Sequence, residues 1–410
     1  MKKQIYKALP IALVSQASLI SSPAIASGFQ LSEYSATGLG RAYAGESAIA
    51  DNAASQWRNP ALLSFIEGTQ ISGGVVYVDP DVDVEGTYTN DTYGMNYSAS
   101  SEDYVDSGVI PNIYLSHQIN DKWAIGLAGG TNYGMSTDLG EDFMGSSTGD
   151  TAEIITTEMN LNLAYMITES FSIGGGIRYV MAEGSFGSTW PGSDTVLGFV
   201  EGDTEEWGWQ LGAAWQINEK NRLGLTYKSE VNLNLEGTAE HIVVGSDTGS
   251  LELTLPATAE LAYAFQATEQ LLLSVSLNWT DWSSFDELNA ELDSYDVTIY
   301  KYEGWEDSYR LAVGAEYQLN SKWTVRSGAA YDQSAVDDED RTATIPETSR
   351  YWVTAGAGFS PNERLTIDAG LAYILSEDAT IEDEGSLDGV FTGETNGSIW
   401  LAGIQASYKF

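Results

Sequence analysis

Two histidines and no cysteine in 410 residues leave little room for a catalytic centre. Nucleophilic hydrolysis needs a base within hydrogen-bond reach of a hydroxyl or thiol, and a metal site needs clustered His, Cys or carboxylate ligands. His117 stands beside a short turn and His241 inside a long polar connection, and no nucleophile motif adjoins either. The GxG patterns follow alternating segments and open no helix, so they do not read as phosphate-cradling loops. No enzyme activity, no metal and no cofactor are expected. The formal charge of −41, from 18 basic and 59 acidic residues, repels nucleic acid at long range. Much of it lies in runs such as Asp337–Asp340 and the stretch around Glu382, as in solvated loops.

One set of charges has a pattern. Arg178, Lys228, Arg310 and Arg326 fall on the small and polar face of alternating segments, together with Glu230, Glu260, Glu316, Asp332 and Asp368. Two chemistries suit such an arrangement. The charges can brace an interior as ion pairs, or one or two basic groups can meet the carboxylate of an amphipathic ligand.

The elements that carry them are strands. Leu271, Leu273, Val275, Leu277 and Trp279 lie on one face of a segment whose other face carries Ser274, Ser276 and Asn278. Leu365, Ile367, Ala369, Leu371 and Tyr373 alternate in the same way with Thr366, Asp368, Gly370 and Ala372. Period two is strand periodicity. Six short polar turns join such segments: Ile119–Lys122, Ile167–Ser170, Ile217–Lys220, Ala267–Gln270, Leu319–Lys322 and Ser360–Glu363. Between them run seven longer, acidic and aromatic connections: 82–107, 134–153, 183–204, 237–250, 283–303, 334–348 and 376–396. Fourteen strands result, with both ends of the chain on one side.

The expected fold class is all-β: a fourteen-stranded antiparallel transmembrane barrel in the bacterial outer membrane, with short periplasmic turns, long outer loops and closure that satisfies every backbone group in lipid. Trp123, Trp279, Trp282, Trp323, Trp352 and Trp400 are expected at the two membrane interfaces. A final strand ending on Phe410 looks like the assembly signal of outer-membrane barrels, which makes the barrel-assembly machinery, outer-membrane lipid and lipopolysaccharide expected partners. The acidic outer loops leave a phage-receptor role open. A soluble secreted sandwich alternates similarly, but its outer face would be the polar one.

Two stretches stand apart. Residues 1–26, with Lys2, Lys3, Lys7, an apolar run and a small-x-small end at Ala26, read as a signal peptide. Gly28–Ala61 is rich in Gly, Ala and Ser, too small-sided to build a core of its own and too apolar for a solvated linker. It is expected to fold inside the barrel as a plug with short helices over 27–67, leaving 68–410 for the wall. Gly129, Gly130 and Gly134 crowd what should be a regular strand, and glycine there marks a bulge or break that would open the side wall.

The stretch "GFQLSEYSATGLGRAYAGESAIADNAASQWRNPA", with Asn59, Pro60 and Ala61 at its end, closely resembles the N-terminal plug of the FadL family of outer-membrane long-chain fatty-acid transporters. Further resemblances are "VVYVDPDV", "TNYG", "MNLNLAY", "WGWQLGAAW", "NRLGLTYKSEV", "LNWTDWSSF", "YEGWEDSYRLAVG" and "IPETSRYWVTAG", covering nearly the whole mature chain. The resemblance implies a plugged fourteen-strand barrel, capture of ligand in a groove among the outer loops, transfer to an internal site, and exit through an inward kink in the third strand when the N-terminal segment moves. Carried over by position, Phe29 contacts the ligand, Gly134 is the kink glycine, Lys301 stands near the bound carboxylate, and Asp332 accompanies it. Phe186 occupies the place where the family's best-known member has a second basic residue, which leaves open an uncharged ligand such as an aromatic hydrocarbon. The expected partner is a long-chain fatty acid or another hydrophobic small molecule. A diffusion porin for hydrophilic solutes is the competing function.

Overall fold

The computed structural model describes residues 28–410 apart from 296 and 386, so the proposed signal peptide lies outside the described residues. The wall consists of β1 (Thr69–Asn90), β2 (Gly108–Gln118), β3 (Trp123–Gly130 and Gly134–Asp138), β4 (Thr151–Thr168), β5 (Phe171–Thr189), β6 (Val196–Asn218) and β7 (Asn221–Lys228 and Val231–His241). It continues with β8 (Gly245–Leu255 and Thr258–Gln266), β9 (Leu271–Thr280 and Glu287–Leu292), β10 (Thr298–Tyr302 and Ser308–Gln318), β11 (Trp323–Asp332), β12 (Arg350–Phe359), β13 (Leu365–Ser376 and Ala379–Glu384) and β14 (Val390–Lys409). Each pairs antiparallel with the next, and β14 closes on β1 from Gln70↔Lys409 to Thr89↔Val390. A short strand, Met95–Ser101, folds back on the outer end of β1. The fourteen-strand closed barrel expected from the turns is the fold.

Outward residues define the membrane band. Trp123 on Tyr165 and Trp323 on Phe359 form one girdle beside the short turns, and Tyr179 on Trp207, Trp209 on Tyr227 and Tyr373 on Trp400 form the other. Beyond the outer girdle the polarity of the wall inverts. In β1, Ile71, Val75 and Tyr77 point outward, but above them Asp79, Asp81 and Glu85 are the exposed set and Val78, Val82 and Val84 are buried. The strands thus rise well past the membrane, and several connections read as loops are strand. The 183–204 connection shrinks to 190–195, and 237–250 to 242–244.

Three expectations fail for related reasons. Trp282 and Trp352 are buried in the interior and do not reach an interface. Glu230 is exposed: β7 breaks at Ser229 and Glu230, after which Val231, Leu233 and Leu235 turn inward, so period two cannot be carried across from Lys228.

The plug fills the lower lumen. Helix α1 (Ala36–Leu39) is capped by Ser35, whose hydroxyl accepts from the Gly38 amide; α2 (Ser55–Arg58) runs into a 3₁₀ turn at Pro60–Phe65. Ala42 and Tyr43 sit at φ of 52° and 54°, a conformation costly for non-glycine residues. Arg310 Nη2 donates to Ala42 O at 3.0 Å and holds the turn. Backbone meets wall closely: a Cβ on Gly224 of β7 would lie 1.8 Å from Ser47 O, so only glycine admits the plug there.

Candidate functional site

The Asn59–Pro60–Ala61 corner fastens the plug. Asn59 Nδ2 donates to Ser47 O (2.7 Å) and to Ala213 O of β6 (3.1 Å), and its Oδ1 accepts from Ala61 N (3.0 Å). Pro60 opens the following turn, where a missing N–H is harmless. Around this corner the plug body is charged and paired. Arg41 faces Glu46 (2.9 Å), Asp51 (2.5 Å) and Glu316 (3.0 Å); Arg326 faces Glu316 and Asp368; Arg58 faces Glu260.

The first residues of the described chain behave differently. β3 is interrupted at residues 131–133, and its ladder with β2 stops at Ile113↔Gly129; beyond the break only Val105, ahead of β2, forms an isolated bridge to Thr137. Opposite that gap the N-terminal tip adds a short strand from inside: Leu31 N donates to Asn132 O (2.7 Å) and Gly134 N to Phe29 O (2.8 Å), about a bridge at Gln30↔Tyr133. Gly134 therefore begins the second half of β3 and is bound to the residue behind it in the lumen.

Phe29 is 1% exposed and sits among aromatic rings: Trp282 at 4.7 Å, Phe285 at 5.2 Å, and Tyr133 and Trp305 each at 6.1 Å between centroids. Gly28 has φ of 58°, and a Cβ there would fall 2.4 Å from the Trp305 ring. Above this nest the inverted strands and the 333–349 loop supply an apolar lining, with Met135, Ile154, Phe186, Leu235, Leu251, Leu253, Leu288 and Ile345 in one cluster with Phe29. A residual cavity of about 30 Å³ remains among them. Trp282, Phe285 and Trp305 are the residues that sequence reasoning missed. The aromatic density of "WTDWSSF" and "YEGWEDSY" was the available signal.

A larger cavity of about 660 Å³ opens at the outer rim, lined among others by Phe186, Leu197, His241, Ile299, Lys301 and Asp383. Lys301 Nζ is paired with Asp383 and donates to Thr148 O at 2.7 Å. Asp332 lies elsewhere, 3.7 Å from Arg310 beside a small polar cavity with Gln30 and Arg58, so the structure does not bring Lys301 and Asp332 together. The acid that accompanies Lys301 is Asp383.

Two buried carboxyls lie beyond the membrane band. Glu303 follows the outer piece of β10, and burial pushes its carboxyl up to about 8 against the pull of Lys301. Glu347, in the 333–349 loop, is pushed up to about 7 by burial, opposed by Arg350. Its Oε2 accepts from Gly28 N at 2.8 Å, tying the tip to that loop. His117 takes part in a hydrogen bond with Thr69 Oγ1 at the periplasmic end, and His241 Nδ1 accepts from Val243 N. Among the described residues no group of three or more His, Cys, Asp or Glu is placed to hold a metal ion.

A closed, plugged fourteen-strand barrel with an apolar chamber above the plug defines a class of outer-membrane transport protein. Residues 17–410 match the model of the outer membrane protein transport protein family (OMPP1/FadL/TodX), and the chain belongs to that family. It is 32% identical over 435 residues to the long-chain fatty acid transport protein of Salmonella typhi, covering 97% of this chain and 98% of that one. Among solved structures, a Pseudomonas aeruginosa FadL homologue superposes with a TM-score of 0.86 at 23% identity, covering 93% of this chain and all of the other. The Ralstonia pickettii toluene transporter TbuX does so at 0.70 and 18%, over 93% of this chain and all of the other. These two likenesses concern the fold.

Proposed function

We propose that this protein carries long-chain fatty acids, or hydrophobic compounds of similar length, passively across the outer membrane. One observation carries the reading: the segment whose Phe29 forms part of the apolar chamber is the same segment hydrogen-bonded into the break in β3. A tail entering the chamber competes with Phe29 for its aromatic neighbours and so bears directly on what stops the side opening. Capture occurs in the rim cavity, the chamber holds the tail, and displacement of residues 28–31 from Asn132 and Gly134 opens the lateral path. Burial is worth about 0.8 kcal/mol per CH₂, so the tail sets affinity and charged groups set orientation. Lys301 has its donors engaged by Asp383 and Thr148 O, which gives it a smaller share in binding than the resemblance implies.

Phe186 supports a second reading. It lines both the rim cavity and the residual chamber cavity, and an apolar ring there suits an uncharged ligand such as an aromatic hydrocarbon. The test is uptake of labelled fatty acid and labelled toluene by cells expressing the protein in place of their own transporter, with conductance measured in planar bilayers. Fatty-acid uptake above background with little ion current is expected. Strong current without hydrophobic uptake would make it a porin for hydrophilic solutes.

A further inference from the structure

Among the described residues, the fully buried arginines and Lys301 each face a carboxylate within ion-pair distance. Lys228 does not. It is 5% exposed, and its ammonium has one long hydrogen bond, 3.3 Å to Asn132 Oδ1, and lies 4.9 Å over the Trp57 ring. An ammonium carries three donors, and burying one without a paired anion is costly. The carboxylates that act on it, Glu158 and Glu260, are already committed: Arg178 binds both oxygens of Glu158, at 2.9 and 2.8 Å, and Asn132 Nδ2 donates to it at 2.5 Å, while Glu260 faces Arg58 and accepts from the Ser47 and Ser276 hydroxyls. By formal charge, Arg178, Arg58 and Lys228 outnumber Glu158 and Glu260 by one, inside a chain whose formal charge is −41.

The place of that excess is informative. Asn132 lies in the break of β3, and its carbonyl holds Leu31 of the tip. One residue thus joins the tip, the side opening, Glu158 and Lys228. The neighbouring polar groups are under-used too: both side-chain polar atoms of buried Asn112, on the part of β2 without a β3 partner, and of buried Asn160, in register with Arg178, have no hydrogen-bond partner.

We propose that Lys228 is the receiving site for the carboxylate of an amphipathic ligand at the side exit. The inference rests on the lateral-exit reading above. Once the tip leaves Asn132, the head group takes up the unused donors of Lys228 while the tail lies toward the gap between β2 and β3. Lys301 has its donors engaged at the rim, whereas Lys228 has most of its own free at the exit.

The experiment compares uptake of a long-chain fatty acid with uptake of its methyl ester, which has no charge, in the native protein, Lys228→Met and Lys228→Arg. Loss of one charge-assisted hydrogen bond predicts a fall of about tenfold in acid uptake for Lys228→Met. Ester uptake should hold within about twofold, and Lys228→Arg should retain the native acid-to-ester ratio. An unchanged ratio in Lys228→Met overturns the assignment while leaving transport intact; a native protein that moves neither compound overturns the transport reading itself. Should Lys228→Met fail to assemble, the native protein is treated with the succinimidyl ester of the fatty acid and the acylated lysines are mapped. Acylation of Lys228 supports the site, and labelling confined to other lysines overturns it.

Discussion

The lower and upper halves of the lumen are built on opposite principles. Below, the plug body is tied to the wall by directional polar contacts: the Arg41 and Arg326 networks, Ser47 on Glu260, Thr37 on Asp368, and the Asn59 corner. Above, apolar side chains surround Phe29, whose side chain makes only aromatic and aliphatic contacts, and the tip backbone is held by a few hydrogen bonds to Asn132, Gly134 and Glu347. Polar networks are costly to break piecemeal because each orphaned group remains buried, whereas an apolar surface is indifferent to which apolar partner covers it. The difference teaches that the plug is two devices. On the proposed lateral-exit reading, its body from Tyr34 to Phe65 is a fixed cork and the exchangeable part is the tip, residues 28–31.

The largest effect is expected where the cork is fastened. Asn59→Ala removes three hydrogen bonds, to Ser47 O, Ala213 O and Ala61 N, at a cost on the order of 3 kcal/mol. Ion current through planar bilayers should rise, and a silent channel would blur the distinction between the halves. Phe29→Ala should cost about 3 kcal/mol of tip packing and leave that current unchanged. Faster hydrogen exchange at the Leu31 and Gly134 amides, with weaker fatty-acid binding, is the expected outcome.

A smaller effect concerns pH. Glu347 and Glu303 have folded-state values raised from an ordinary 4.5 to about 7 and about 8. The folded outer end therefore holds protons that an unfolded chain releases, and its stability declines as pH rises from about 4.5 to about 8, then levels off. Protection of the Gly28 and Phe29 amides should fall across that window. In Glu347→Gln the fall should become shallower between about pH 4.5 and 7, leaving the contribution of Glu303, and a native profile in that variant would remove Glu347 from the tether.

Much of the fold was legible because lipid enforces a strict rule: in β9 and β13 apolar residues alternate outward for the height of the membrane. Above the girdle both faces of each strand escape that rule, so the outer halves of β5 and β6 read as loop. At Ser229–Glu230 a two-residue break reversed the phase and misplaced Glu230. The plug was legible from its small residues. The aromatic nest was not, since Trp282, Phe285 and Trp305 come from separate excursions of β9 and β10, and nothing in their spacing brings them to Phe29. The same holds for Asp383, whose pairing with Lys301 spans 82 residues.

The central claim, that the tip moves and the cork does not, is most directly tested with two disulfides in a chain that has no cysteine of its own. Gln30→Cys with Tyr133→Cys joins a non-hydrogen-bonded antiparallel pair, whose Cα spacing of about 4.5 Å suits a disulfide. Ala36→Cys with Gly403→Cys joins plug body to wall, where the Cβ atoms would stand 3.1 Å apart. Fatty-acid uptake is measured for both before and after reduction. The account predicts that the tip lock abolishes uptake until it is reduced while the body lock leaves uptake at the native rate. Native uptake through the oxidised tip lock, or loss of uptake in the body lock alone, would contradict it.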